Sequence, residues 1–251
     1  DENILYQDDA TEVIVVATRH NLHAKQVIKA LQSSKHVFVE KPLALTLAEL
    51  EEIKEVYLNS KNQLLMVGFN RRFSPHIQTI KQLLSTSSSP KTFNMTINAG
   101  HIPSEHWTQQ SEIGGGRIVG EACHFIDLLR FLAGNKINTS HVVSQGGKKS
   151  AEDVALITLT FEDGSCGTIQ YLANGHKAFP KERLEVFCDG KILQLDNFRK
   201  MRGFGWSKFS KQNLRKQDKG QAACVSAFIE AIKNGKPAPI PFEEIMEVSK
   251  I

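Results

Sequence analysis

The sequence predicts an α/β region followed by an α+β region: a small parallel sheet, then a mostly antiparallel open sheet with helices on one face. Three observations lead there. Residues 12–70 alternate short continuous apolar runs (Val13 to Ala17, His36 to Val39, Leu64 to Phe69) with helical patterns at about Leu22 to Gln32 and Leu47 to Leu58, the rhythm of βαβ units. After Phe73 that rhythm stops. Farther on, alternating strands and hairpin turns take over, most clearly Arg183 to Cys188 and Lys191 to Leu195 around Asp189-Gly190. The expected division is therefore 1–73, a region of βαβ units, and 74–251, a mostly antiparallel region with C-terminal helices.

Each later element has its own signal. Pro75 followed by Ile77, Ile80, Leu83 and Leu84 reads as a helix with proline in its first turn. Ser85 to Pro90 is a serine-rich loop, and Phe93 to Ala99 alternates as a strand does. Arg117 to Leu132 carries Ile118, Ala122, Phe125, Leu128, Leu129 and Leu132 at helical spacing, with Gly134 as the stop signal. Asp153 to Phe161 and Cys166 to Leu172 flank the turn Glu162-Asp163-Gly164-Ser165. A last helix, about Gln221 to Lys233, ends at Asn234-Gly235.

Composition narrows the function classes. With 41% hydrophobic and 23% charged residues in 251, the chain is a folding sequence with room for one large or two medium domains. Its apolar runs are of strand length, far short of a membrane span, and no signal segment is visible. The four cysteines are widely spaced with no Cys-x-x-Cys, so neither a zinc site nor a disulfide framework is indicated, and a reducing cytoplasm is the expected setting. The net charge of +4 is mild, and its excess lies in Phe198 to Lys219, eight Lys or Arg against Asp218 alone, interleaved with Phe204, Trp206 and Phe209. A single-stranded nucleic-acid surface is the sharp reading of that stretch. A solvated strand and loop, or attraction of a phosphorylated or nucleotide-linked sugar, suits so mild a charge better.

Two segments carry the chemistry. Glu40-Lys41-Pro42 ends the apolar run Val37-Phe38-Val39, which places Lys41 where a buried strand emerges at its carboxyl end, the ligand side of an open α/β sheet. Gly114-Gly115-Gly116 leads into the helical pattern that carries Glu121 and His124 three residues apart, on one expected helix face. An imidazole titrates near neutrality, and a partly desolvated lysine offers both charge and hydrogen-bond donors. His124 and Lys41 have those properties, and one cleft between the two regions is expected to hold both. Glu121-x-x-His124 also imitates half of a di-iron site, but no second copy occurs, and no metal is assigned. His20 and His23 could suggest another metal pair. A cofactor-edge contact suits His23 better, and capping or exposure suits His20.

With Ala17-Thr18-Arg19-His20-Asn21-Leu22-His23, Gly68-Phe69-Asn70-Arg71-Arg72-Phe73 and the run to Phe125-Ile126-Asp127, these segments resemble the glucose-fructose oxidoreductase and inositol dehydrogenase (Gfo/Idh/MocA) family over residues 13 to 134. The resemblance implies an NAD- or NADP-dependent dehydrogenase acting on a sugar, sugar nucleotide or cyclitol, with Lys41 and His124 in catalysis. It implies Thr18, His23, Glu40 and Pro42 along the nicotinamide half of the cofactor, Arg72 and Asp127 toward the substrate, and a homo-oligomer mating through the open sheet. The subtype looks like a branch found beside polysaccharide-biosynthesis genes. Two departures stand out. The family's aspartate four residues before the histidine is Gly120 here, with Glu121 placed to orient the imidazole or line the pocket instead. The family's opening strand, glycine-rich turn and helix are also absent, so the chain reads as a fragment with a truncated Rossmann sheet whose strand Val13 to Ala17 is left as an edge. A non-catalytic sugar-binding or assembly module is the second reading.

Overall fold

The structure, a computed structural model, describes residues 2–60, 62–145 and 153–251. In chain order its strands are β1 Val13–Val16, β2 His36–Val39, β3 Leu65–Val67, β4 Thr92–Asn98, β5 Ile137–Ser144, β6 Val154–Phe161, β7 Cys166–Leu172, β8 Glu182–Cys188, β9 Lys191–Asp196, β10 Lys200–Phe204 and β11 Lys211–Asn213. The helices are α1 Asn3–Gln7, α2 His23–Gln32, α3 Leu47–Asn59, α4 Pro75–Leu84, α5 Cys123–Ala133, α6 Gln221–Lys233 and α7 Phe242–Ser249.

These elements form two compact units that are interleaved in sequence. The first holds Asp1–Phe69, Trp107–Cys123 and Ala222–Ile251, and the second Asn70–His106 and His124–Gln221. A single boundary at residue 73 does not describe this arrangement. The chain's last helices pack on the parallel sheet: Phe228 of α6 lies 5.8 Å from Phe38 of β2, and Phe242 of α7 stacks on Tyr57 of α3 at 4.0 Å.

In the first unit β1, β2 and β3 form a parallel sheet in that order, with Val13 opposite His36 and Val37 opposite Leu65. Local chemistry starts α3 where the pattern does, since Thr46 and Glu49 form a reciprocal capping box. Strand β1 departs from one expectation: a continuously apolar strand should be covered on both faces, yet Val15 is 64% exposed while Ile14 and Val16 are buried. Only the Ile14 and Val16 face is covered, and β1 is an edge strand among the described residues.

The second unit is an eight-stranded sheet in the order β11-β10-β9-β8-β4-β7-β6-β5, antiparallel except for the central β4–β7 pair. Alternation puts Phe93, Met95, Ile97, Ile157, Leu159, Ile169, Tyr171, Leu184 and Val186 on one buried face. Helix α5 lies against that face: Phe125 sits 6.3 Å from Tyr171, and Gly167 leaves room for Leu129. The opposite face carries Asn94, Thr158, Gln170 and exposed Leu156 and Phe187. Asp189 and Gly190 both take positive φ, +56° and +69°, which a two-residue hairpin turn of this hand requires. The basic stretch becomes the strands β10 and β11 at one end of the sheet, where Lys200, Arg202 and Lys211 border an open groove of about 420 Å³.

Candidate active-site residues

Backbone pairing delivers Lys41 to a strand end. The Glu40 amide donates to the Val16 carbonyl at 2.8 Å, and the Gly68 amide donates to that of Val39 at 2.8 Å, so the parallel sheet extends up to Glu40. The Glu40 carboxylate is exposed and lies against Gly68, where a Cβ would come within 3.2 Å of Oε2. Lys41 is half-buried, its peptide bond to Pro42 is cis, and its Nζ donates to the Gly120 carbonyl at 3.0 Å. A lysine ammonium has three donors, so this bond leaves capacity for a ligand.

His23 is fully buried, with Nδ1 2.7 Å from the Pro42 carbonyl and Nε2 3.1 Å from that of Thr18. Both ring nitrogens are thus taken up by backbone. His23 links the loops after β1 and β2. Thr18 itself is exposed, with Oγ1 bonded to Gln26 at 2.7 Å.

The glycine-rich segment is a packed turn. A Cβ on Gly114 would collide with the Thr108 backbone, and Gly115 and Gly116 take φ of +72° and +79°. At Gly120 a Cβ would lie 2.8 Å from Cε1 of His20, so the His20 ring occupies the space a side chain at 120 would need. His20 is held by the Gly114 carbonyl, 2.8 Å from Nδ1, and by the edge of Trp107 at 4.8 Å. Burial pushes the His20 pKa down, and the Lys41 ammonium pushes the same way.

Glu121 is held by an arginine of its own segment. Its carboxylate lies 3.1 Å from Nη2 of buried Arg117, an ion pair one turn upstream. Residues Ile118–Ala122 form a π-helical turn and the α-helix starts only at Cys123, so Glu121 and His124 do not share a continuous α-helical face. His124 sits in the first turn of α5 and is 6% exposed.

Arg72 and Asp127 were expected to face substrate. They instead form a buried two-pronged ion pair: Arg72 Nε donates to Asp127 Oδ2 at 3.1 Å, Nη2 donates to Oδ1, and the guanidinium covers the Phe131 ring at 4.9 Å. A carboxylate and a fork that satisfy each other inside a core have little left for a ligand. Beside them Arg71 grips Glu182 through Nε and Nη2 at 2.7 and 2.9 Å, and Lys219 joins from the other side at 2.6 Å. Burial alone would raise the Glu182 pKa, but the two cations outweigh it and hold the carboxyl below its usual range. Sequence reasoning missed His20, Arg117 and Glu182 as participants. Only the unusual Gly120 hinted at the first.

A parallel sheet with a lysine at its strand end and a large open sheet backed by a helix are the two units of a two-domain oxidoreductase fold. The chain belongs to the Gfo/Idh/MocA oxidoreductase family. Residues 2–69 match the family model described as the NAD-binding Rossmann fold, and residues 88–192 match that of its C-terminal alpha/beta domain. Among curated proteins it is 25% identical over 259 residues to myo-inositol 2-dehydrogenase of Thermotoga maritima, covering 97% of this chain and 76% of that one. It is 28% identical over 242 residues to inositol 2-dehydrogenase/D-chiro-inositol 3-dehydrogenase of Lacticaseibacillus casei, covering 92% and 65%. Among solved structures, levoglucosan dehydrogenase in complex with NADH and levoglucosan superposes with a TM-score of 0.87 at 20% identity, over 99% of this chain and 78% of that one, a likeness of fold. No described helix is long and apolar enough to cross a membrane.

Proposed function

We propose that this protein transfers hydride between NAD or NADP and a hydroxyl of a sugar, sugar nucleotide or cyclitol. The observation that carries the reading is the bond from Lys41 to Gly120, which ties a strand-end amine to the segment running into His124. Lys41 stabilises the developing alkoxide and His124 exchanges the hydroxyl proton. Exposed Thr18 and Glu40 at the same sheet edge fit the nicotinamide half of a dinucleotide, and buried Pro42 shapes the wall beneath them. The bound cofactor supplies the hydride acceptor.

A cytoplasmic homo-oligomer, mated through the open sheet face and serving polysaccharide biosynthesis, belongs to the same proposal. The exposed Leu156 and Phe187 on that face support the mating surface. The second reading, a non-catalytic sugar-binding module, draws support from Gly120 and from Glu121 being engaged by Arg117.

Formation of NADH or NADPH is the test, with myo-inositol, levoglucosan and uridine-diphosphate sugars as trial substrates. Turnover that falls when Lys41 or His124 is removed supports the dehydrogenase. Sugar binding without turnover supports the module.

A further inference from the structure

The His20 ring is fixed from several sides within the first unit. Its Nδ1 lies 2.8 Å from the Gly114 carbonyl, which can only accept, so Nδ1 carries the proton. Its Cε1 edge lies over Gly120, close enough that a Cβ at 120 would fall 2.8 Å away. Trp107 meets the ring edge-on at 4.8 Å, and the His23 ring is 5.6 Å away. The Gly120 carbonyl, on the residue beneath the imidazole, is the one that receives Lys41 Nζ at 3.0 Å.

We propose that His20 is a positioning residue for Lys41: as a neutral imidazole held through Nδ1, it fills the space above Gly120 and fixes the carbonyl that receives the lysine amine. The inference rests on the reading of Lys41 as a catalytic group. It explains why position 120 is glycine, since any side chain there would displace the ring. It also sets a condition on charge. The charged or titratable groups facing His20 are Lys41, from the end of β2, and His23, from α2; Trp107, Gly114 and Gly120 bring no charge. Among the described residues no carboxylate pairs with His20 or Lys41. Protonating His20 therefore places a second cation beside the lysine with nothing to compensate it. Burial and the Lys41 charge both oppose that protonation, so the arrangement persists at neutral pH.

The test is a substitution cycle in the full chain, read as turnover against pH. His20→Ala and Gly120→Ala should each lower kcat about tenfold, with KM changed less than about twofold, and the double variant should be no worse than about tenfold down, because both changes break one contact. His20→Asn, whose side-chain amide can still donate to Gly114, should recover neutral-pH turnover. Losses that multiply to about a hundredfold in the double variant, or turnover in His20→Asn no better than in His20→Ala, would overturn the proposal. If the wild type shows no turnover, the dehydrogenase reading fails, and the inference is then judged by NMR titration of the His20 imidazole. Lys41→Met should raise its midpoint by removing a neighbouring cation, and an unmoved midpoint sinks the coupling.

Discussion

The Arg71 and Arg72 guanidiniums of the open-sheet unit and the Lys41 amine of the parallel-sheet unit are satisfied in opposite ways. In the open-sheet unit Arg71 and Lys219 close on Glu182, and Arg72 closes on Asp127, so each positive group is matched by a carboxylate inside the core. In the parallel-sheet unit Lys41 has a single backbone carbonyl, at 3.0 Å, and two donors to spare. A closed pair holds the fold, while a half-satisfied amine at a strand end is available to a ligand. Residue type alone does not separate these cases, because three of the four cations come from motifs with the same family resemblance.

Breaking the closed network should give the largest effect. Glu182→Gln leaves Arg71 and Lys219 facing each other in a buried site, and the expected loss of unfolding free energy is about 3–5 kcal/mol, the scale for removing one partner of a buried pair. Chemical denaturation would measure it, and a loss below about 1 kcal/mol would mean the network is dispensable. Lys41→Ala should do the reverse: turnover down by roughly a hundredfold, with the denaturation midpoint nearly unchanged. His124→Ala should match that loss of turnover, while Glu121→Gln should cost less. Equal turnover in the Lys41 and His124 variants and the wild type would remove the assignment from both residues.

Acid titration sharpens the same contrast. The Glu182 carboxyl is held below its usual pKa in the folded protein, so the unfolded chain binds a proton first as pH falls. Its contribution is complete above the unfolded value of about 4.3 and is lost as pH falls through the folded one. Wild type should therefore lose stability more steeply below about pH 4.3 than Glu182→Gln does, and parallel curves would contradict the ion-pair account. A smaller effect belongs to the hairpin. Gly190→Ala meets open space but keeps φ at +69°, so about 1 kcal/mol is expected from backbone strain alone.

Much of the architecture was readable in the residues. Periodicity located β1 to β3, α2 to α4 and the β6–β7 and β8–β9 hairpins to within a residue or two, because apolar spacing and turn chemistry are local. Strands β5, β10 and β11 and helix α7 escaped it. Ile137 to Ser144 alternates poorly, being exposed along most of its length, and β10 and β11 lie in a stretch whose charge masks the pattern. The candidate site was legible only in part. The positions of Lys41 and His124 followed from a strand end and a glycine-rich helix start. The roles of their neighbours did not.

What the sequence determined by itself is the order of elements, the strand-end lysine and the family, since each depends on short-range pattern. What only the tertiary structure decided is which polar groups satisfy one another. His23 binds two loops together, Arg72 and Asp127 close on each other across 55 residues, and His20 fills the space over Gly120. Such pairings are set where distant segments meet at hydrogen-bonding distance, and a buried donor must find its acceptor wherever the fold brings one within reach.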